Sequence, residues 1–497
     1  MPRESLMQLI TYADRFAGNL QRLKGRLNTE FEGLFTGVHV LPFFDPIDGA
    51  DAGFDPIDHT RVDPRLGDWS DVRDLATDYC VMADLIVNHV SADSPQFEDV
   101  RRLGTRSVFW GLFLKKADLF PDDDPDTVKD IARIYRPRPG LPFTPVAVDG
   151  MGDVDFWTTF SPNQLDINVE NAGGRAYLDS ILERFAEAAI REVRLDAAGY
   201  AVKRRGTSCF MLPETFDFIA ALSQQASSLG IDTLVEIHSH YETQIAVAAS
   251  VGRVYDFALP PLVLHTLYRA NADPLKRWLA IAPRNCVTVL DTHDGIGIVD
   301  AAREGSRSGL LSDDQINNLV DTIHEKTGGG SLRASGHAAS NLDVYQVNST
   351  FYDALGQSDR EYLIARAIQF FSPGTPQVYY VGLLAGENDL ELVERTGVGR
   401  DINRHYYTDS EISAALERPV VDSLIRLMKL RAGSSAFDGK FVIGDSRSDR
   451  LILRWNGDDA SAELDVDLGG KTASMRFESP DGPRHYEIAD TLTERQV

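Results

Sequence analysis

The stretch Arg191-Glu192-Val193-Arg194-Leu195-Asp196 has the clearest capacity for chemistry. Its side chains alternate as in a strand, with Val193 and Leu195 on one face and Arg194 and Asp196 on the other. An interior strand face normally carries apolar groups, so a charged pair there is expensive to bury. Two readings account for it. Asp196 is a nucleophilic carboxylate at the mouth of a barrel, held ionised by Arg194, or the two form a structural ion pair. Other strand ends bear on the choice. In Thr233-Leu234-Val235-Glu236-Ile237-His238, alternation puts Glu236 and His238 on the face of Leu234, and Leu290-Asp291-Thr292-His293-Asp294 supplies another terminal acid. The interval from Asp196 to Glu236 suits one strand-helix repeat and that from Glu236 to Asp294 suits two. All three acids can then ring one mouth, which favours a shared site over three unrelated cap or turn acids.

The elements that must hold these acids are legible as short apolar runs. They are Leu9 to Ala13, Gly37 to Phe44, Met82 to Asn88, Val193 to Asp196, Leu234 to His238, Val254 to Leu259, Val287 to Asp291 and Gln377 to Gly382. Between them lie amphipathic segments such as the stripe Leu178, Ile181, Leu182, Phe185, spaced to cover a parallel sheet. The pattern predicts an α/β fold, a (β/α)8 TIM barrel, with catalytic groups at the carboxyl ends of its strands.

Two excursions interrupt the repeat, and the last part of the chain departs from it. The expected division is barrel over 1–89, an inserted domain over 90–168, barrel over 169–294, a second insertion over 295–357, barrel over 358–436 and an antiparallel β domain over 437–497. The first insertion is too long for an ordinary connection and carries the proline-rich Tyr135-Arg136-Pro137-Arg138-Pro139-Gly140-Leu141-Pro142. In the second, Thr327-Gly328-Gly329-Gly330-Ser331 reads as a mobile loop over the site. Alternating runs such as Leu451-Ile452-Leu453-Arg454-Trp455 mark the β domain.

A chain of 497 residues with a formal charge of -25 repels nucleic acid and anionic membranes, so neither is an expected partner, and an anionic ligand would need local arginines. Cys80, Cys209 and Cys286 are scattered, without metal-ligand spacing, as suits reduced thiols. No run of eighteen apolar residues and no export segment is visible, and a cytoplasmic location is expected.

Asp84 to His89, Arg194 to Ala197, Glu236 and His293-Asp294 resemble, in order and spacing, the four conserved regions of the α-amylase superfamily of retaining glycoside-active enzymes. A closer resemblance, to the sucrose phosphorylase branch, rests on Gly49 to His59, Ile134 to Phe143, Ser340 to Thr350 and Gly399 to Tyr407, and spans residues 7 to about 436. The resemblance implies Asp196 as nucleophile, Glu236 as acid/base with a raised pKa, and Asp294 as transition-state stabiliser. It further implies that Asp51, His89, His293 and Arg400 hold a glucosyl ring, with Phe54 and Phe160 as apolar walls and Gln164 nearby; Arg194, which should keep Asp196 ionised, is also expected among the substrate-binding residues. Arg138, Tyr345 and His238 are the expected phosphate contacts, and Leu342, Asp343 and Gln346 belong to an acceptor loop.

The implied partners are sucrose and inorganic phosphate, giving α-D-glucose 1-phosphate and D-fructose, and a homodimer. Alternatives are phosphorylases of sucrose 6'-phosphate, glucosylglycerol or glucosylglycerate, a sucrose hydrolase, or an inactive barrel serving as an interaction subunit. Ala198-Gly199-Tyr200 stands where calcium-binding members often carry a lysine-histidine pair, so no metal and no cofactor is expected.

Overall fold

The computed structural model describes residues 7–49, 51–122, 124–136, 140–336 and 346–495. Eight parallel strands close into a barrel: β1 (Gln8–Thr11), β2 (Gly37–Val40), β3 (Cys80–Ile86), β4 (Glu192–Asp196), β5 (Asp232–Val235), β6 (Arg253–Asp256), β7 (Cys286–Thr288) and β8 (Thr375–Tyr379). Each pairs with its sequence neighbours and β8 closes on β1. This is the (β/α)8 barrel that the sequence predicts, one strand for each apolar run.

Alternation sorts the strand side chains as expected. Val193 and Leu195 join the large core between strands and helices, whereas Met82, Leu234, Tyr255 and Val287 form a separate apolar cluster inside the barrel. The interior also carries a polar layer. Gln8 Nε2 donates to Glu192 Oε2 at 2.6 Å, Gln377 Nε2 to Gln8 Oε1 at 3.0 Å, and the Tyr255 hydroxyl to Gln377 Oε1 at 3.2 Å. Outside, the helix Ala172–Glu187 is capped by Asn171, whose side chain accepts from Gly173 N, and it buries Leu178, Ile181, Leu182 and Phe185.

Between β3 and β4 the described residues form three short α-helices, the 3-10 turn Gly104–Arg106 and the hairpin Phe143–Val148 with Gly152–Trp157; the pair His89–Ser91 and Gln164–Asp166 ties this excursion back to the end of β3. After β7, the strands Ile296–Gly297 and Gln346–Val347 pair antiparallel around the helices Asp313–Lys326 and Gly330–Gly336. Here the structure differs from the expected loop. Gly328 and Gly329, at φ 57° and 79°, make a tight turn between two helices, and Gly330 and Ser331 are already helical. The Ser340 to Tyr345 part of the expected acceptor loop lies outside the described residues.

Six antiparallel strands end the chain: β9 (Lys440–Ile443), β10 (Arg450–Asn456), β11 (Ser461–Asp467), β12 (Thr472–Glu478), β13 (Arg484–Ile488) and β14 (Leu492–Arg495). Strict in-out alternation along β10 to β12 gives the sheet one buried face, which packs on the barrel around Phe371, Phe437 and Phe477; Trp455 Nε1 donates to Phe371 O at 2.8 Å. Among the described residues, no helix is long and apolar enough to cross a membrane.

Candidate active site

The carboxyl ends of the barrel strands surround a cavity of about 760 Å³, a figure that counts the solvent-filled space of its open mouth. Asp196, Glu236 and Asp294 line it together with Asp51, Phe54, His89, Phe160, Gln164, His238, His293, Gln346 and Arg400.

Asp196 is the last residue of β4, and Ala197 after it adopts φ 54°. That left-handed turn is uncommon for a residue with a Cβ, and it aims the Ala197 amide at Glu236 Oε2, 3.1 Å away. Arg194, two residues earlier on the same strand face, is 2% exposed. Its Nη1 donates at 2.6 Å both to Asp196 Oδ1 and to Asp84 Oδ1, and its Nη2 stands 3.9 Å from Glu236 Oε1. One guanidinium therefore serves three carboxylates.

The electrostatics depart from the expectation that Arg194 simply holds Asp196 ionised. Burial, reinforced by Glu236, Asp84 and Asp294, pushes the Asp196 carboxyl well above the usual carboxylate range, and the shared arginine only partly opposes this. Asp84 has a second partner, His39 Nε2 at 2.9 Å; against its own burial, His39 and Arg194 hold it down at about 2.

Asp294 is the opposite case. Burial would raise it, but Arg400 Nη1 at 2.9 Å from Oδ1, with Arg404, holds it well below the carboxylate range. Arg400 also reaches Asp51 Oδ2 at 3.2 Å, so one cation bridges two acids across the cavity. Fully buried Arg404 fixes the loop from behind. Its Nε donates to His293 O at 2.8 Å, while Asn403 Nδ2 donates to Thr292 O and Asp294 O.

The histidines have distinct surroundings. His293 stacks on Phe54 with ring centroids 4.8 Å apart, and burial drives its pKa down to about 3, so it is neutral. His89 packs on Phe160 and donates through Nε2 to Phe54 O at 2.8 Å; Gln164 Nε2 lies 3.1 Å away. Burial lowers its pKa as well. Against burial, Asp300 and Glu236 raise that of His238, whose ring lies on Phe257 with Nδ1 at 2.9 Å from Asp300 Oδ2 and Nε2 at 3.0 Å from Gln346 Nε2. Glu236, His238 and Asp294 bring donor atoms within 4.8 Å of one another, a geometry a cation could use only by displacing Gln346 or Asp300 from His238.

Of the residues expected at the site, Arg194 sits behind the cavity wall rather than on it, while Arg138, Leu342, Asp343 and Tyr345 lie outside the described residues. Residues not anticipated as lining groups are Ala197, Gly199, Tyr200, Phe210 and Ile237, with Asp84, Arg404 and Asp300 in support. Arg404 was detectable four residues after Arg400, directly after the short helical stretch Gly399–Asn403. Asp300 is a lone acid in a loop with no sequence signal.

A closed barrel with acids at adjacent strand ends, an arginine two residues before the first, and a His-Asp pair after β7 defines the α-amylase superfamily of retaining glycoside-active enzymes. A sequence profile described as alpha amylase, catalytic domain, matches residues 18–248. The chain is 53% identical to a sucrose phosphorylase of Agrobacterium vitis over 94% of its length and 96% of the relative's. It is 50% identical to the sucrose phosphorylase of Bifidobacterium adolescentis, over 92% and 91%. The crystal structure of a sucrose 6F-phosphate phosphorylase from Thermoanaerobacter thermosaccharolyticum superposes with a TM-score of 0.88 at 36% identity, covering 99% of this chain and 97% of that one. The chain belongs to the sucrose phosphorylase family within that superfamily, and is an enzyme of the glucoside phosphorylase type.

Proposed function

We propose that this enzyme catalyses the reversible phosphorolysis of sucrose to α-D-glucose 1-phosphate and D-fructose, with retention of configuration. The observation that carries the mechanism is the coupling of Asp196 and Glu236 at the ends of neighbouring strands, through Arg194 on one side and the Ala197 amide on the other. Retaining transfer needs two such carboxyl groups close together, one to bond the anomeric carbon and one to handle the proton.

In the first step Asp196, in the ionised form that Arg194 favours, attacks the anomeric carbon, and the bond from that carbon to the fructosyl oxygen breaks as Glu236 gives this oxygen its proton. In the second, a phosphate oxygen attacks the glucosyl-Asp196 ester as Glu236 takes the phosphate's proton, restoring both acids. Asp294, held ionised by Arg400, faces the positive charge that develops on the sugar ring. Neutral His293 and His89, the Asp51-Arg400 pair and Gln164 supply hydrogen bonds to the glucosyl hydroxyls, and Phe54 and Phe160 the apolar walls.

Phosphate must displace water as acceptor in a chain of net charge -25. Arg138 and Tyr345 are the proposed phosphate contacts with His238, and Leu342, Asp343 and Gln346 the acceptor loop. The excursions 90–168 and 295–357 form the walls around this mouth. A cytoplasmic homodimer is the proposed assembly, which light scattering tests.

The test is the product mixture from sucrose with and without phosphate. Glucose 1-phosphate is expected, and free glucose alone under both conditions would overturn phosphorolysis in favour of hydrolysis. Preference for sucrose 6'-phosphate, glucosylglycerol or glucosylglycerate in parallel assays would move the donor assignment within the branch. Arg138→Ala should lower the partition of the glucosyl-enzyme towards phosphate by about ten- to a hundred-fold, the scale of a lost charge-assisted hydrogen bond. An unchanged partition across a phosphate titration would remove Arg138 from the phosphate site.

A further inference from the structure

At the opposite end of the barrel lies a second cavity, about 2550 Å³ counting space open to solvent, against 760 Å³ for the catalytic one on the same measure. It sits where the amino-terminal ends of β4, β6 and β7 meet the end of the helix Pro419–Gly433 and strand β9. Five cationic side chains line it, Arg191, Arg253, Arg284, Arg431 and Lys440, against two acids, Glu192 and Asp232. In a chain with 50 Lys and Arg against 75 Asp and Glu, this local excess of cations inverts the overall balance. Glu192 is moreover already engaged, paired with Arg253 and accepting from Gln8 Nε2 at 2.6 Å.

The cations have few internal partners. Arg431 is 8% exposed; its Nε donates to Phe370 O at 2.9 Å and its guanidinium lies 4.0 Å over the Phe437 ring, but no carboxylate of a described residue reaches ion-pair distance. Arg284 lies over Phe441 at 5.3 Å, with no ion pair among the described residues. A nearly buried guanidinium without a counter-ion is costly, and an entering anion removes that cost. Burial accordingly presses Arg431 down to about 10, opposed only by Asp438. Phe441 and Trp455 supply an apolar wall beside the charges.

We propose that this cavity binds a polyphosphate-bearing small molecule of the nucleoside polyphosphate class. Its phosphates would meet Arg284, Arg431 and Lys440, and its ring would lie against Phe441 and Trp455. Guanidinium forks match phosphate oxygens, and the excess of three cations offsets most of the charge of a triphosphate. Arg191, Arg253, Arg284 and Arg431 belong to the barrel and its helices, whereas Lys440 and Phe441 belong to strand β9 of the carboxy-terminal sheet, so an occupant ties the two together and raises the melting temperature by mass action.

The probes are ATP and inorganic tripolyphosphate, titrated calorimetrically into the full chain with glucose 1-phosphate in excess to occupy the catalytic mouth. Saturable binding and a raised melting temperature are expected. Arg284→Gln/Lys440→Gln, both at exposed positions, should weaken binding tenfold or more without changing sucrose turnover in the absence of ATP. Tighter binding of ATP than of tripolyphosphate, weakened by Phe441→Ala, supports the ring contact, whereas equal binding of the two overturns the nucleoside part. The site itself is overturned by no saturable binding of either probe at millimolar concentration, by binding indifferent to the double substitution, or by displacement with glucose 1-phosphate.

Discussion

Asp291 and Asp196 lie near the ends of barrel strands β7 and β4, and both accept from a buried arginine, but the two sites treat that arginine differently. Arg366 gives Nη2 to both oxygens of Asp291, at 2.9 and 2.8 Å, while its other nitrogens are engaged by the Tyr362 hydroxyl and Gln369 Oε1. Packing around this pair is complete: a Cβ on Gly382 would stand 2.0 Å from Asp291 Oδ2 and 2.1 Å from Arg366 Nη2, so only glycine fits. Arg194 instead divides itself between Asp84 and Asp196, with Glu236 at its edge, and Asp196 faces a cavity. Asp256, at the end of β6, has no arginine at ion-pair distance among the described residues and accepts from Trp278 Nε1 and from the backbone at Leu259 and Ala258. The sites differ in whether the arginine is exclusive to its aspartate or shared, and in whether one side of the aspartate is open to a cavity.

Breaking the shared arrangement should cost most in activity. Asp196→Asn is expected to leave a folded chain whose glucosyl transfer from any donor falls by about 10⁴-fold or more, since the amide cannot form the covalent ester. Turnover with sucrose and with glucose 1-phosphate, beside a melting curve, checks this; substantial residual transfer would return Asp196 to the class of Asp291. Glu236→Gln should lose about 10² to 10⁴-fold with sucrose and much less in glucosylation by α-glucosyl fluoride, whose leaving group needs little protonation. Equal losses with both donors would point to a different acid.

Breaking the exclusive arrangement should cost stability instead. Arg366→Met leaves Asp291 buried and unpaired, and is expected to lower the unfolding free energy by about 3 to 5 kcal/mol in denaturant titration. Turnover per folded molecule should stay near that of the unaltered chain, and a collapse of turnover without loss of stability would erase the distinction between the two sites.

The gentlest dependence, spread over several pH units, concerns the aspartate with no cation at ion-pair distance among the described residues. Burial raises Asp256 from the ordinary carboxylate value to about 7, against its bonds from Trp278 and Leu259. Between those two values the folded chain binds more protons than the unfolded one, so this group makes stability fall as pH rises. Its contribution is at most about 1.4 kcal/mol per pH unit. Asp256→Asn, which mimics the protonated form, should flatten the fall in unfolding free energy between about pH 4 and 7. An unchanged slope would show that Asp256 is ionised throughout.

Much of this was legible without coordinates, because strand alternation and helical stripes are local patterns. The eight barrel runs, the inward face shared by Arg194 and Asp196, the buried stripe of the helix Ala172–Glu187 and the alternating carboxy-terminal sheet all follow from side-chain period alone. The order of Asp196, Glu236 and Asp294 along the strand-helix repeat likewise placed them at one mouth. Contacts across the chain were not legible. Nothing local announces that Arg194 is divided between Asp84 and Asp196, that Arg404 braces the Asp294 loop, that Asp300 orients His238, or that Gly328 and Gly329 join two helices instead of opening a loop. The upward shift of Asp196 belongs to the same class. A sequence states which charges exist and in what order, whereas a pKa depends on burial and on distances between residues far apart in the chain, and closure of the barrel decides both.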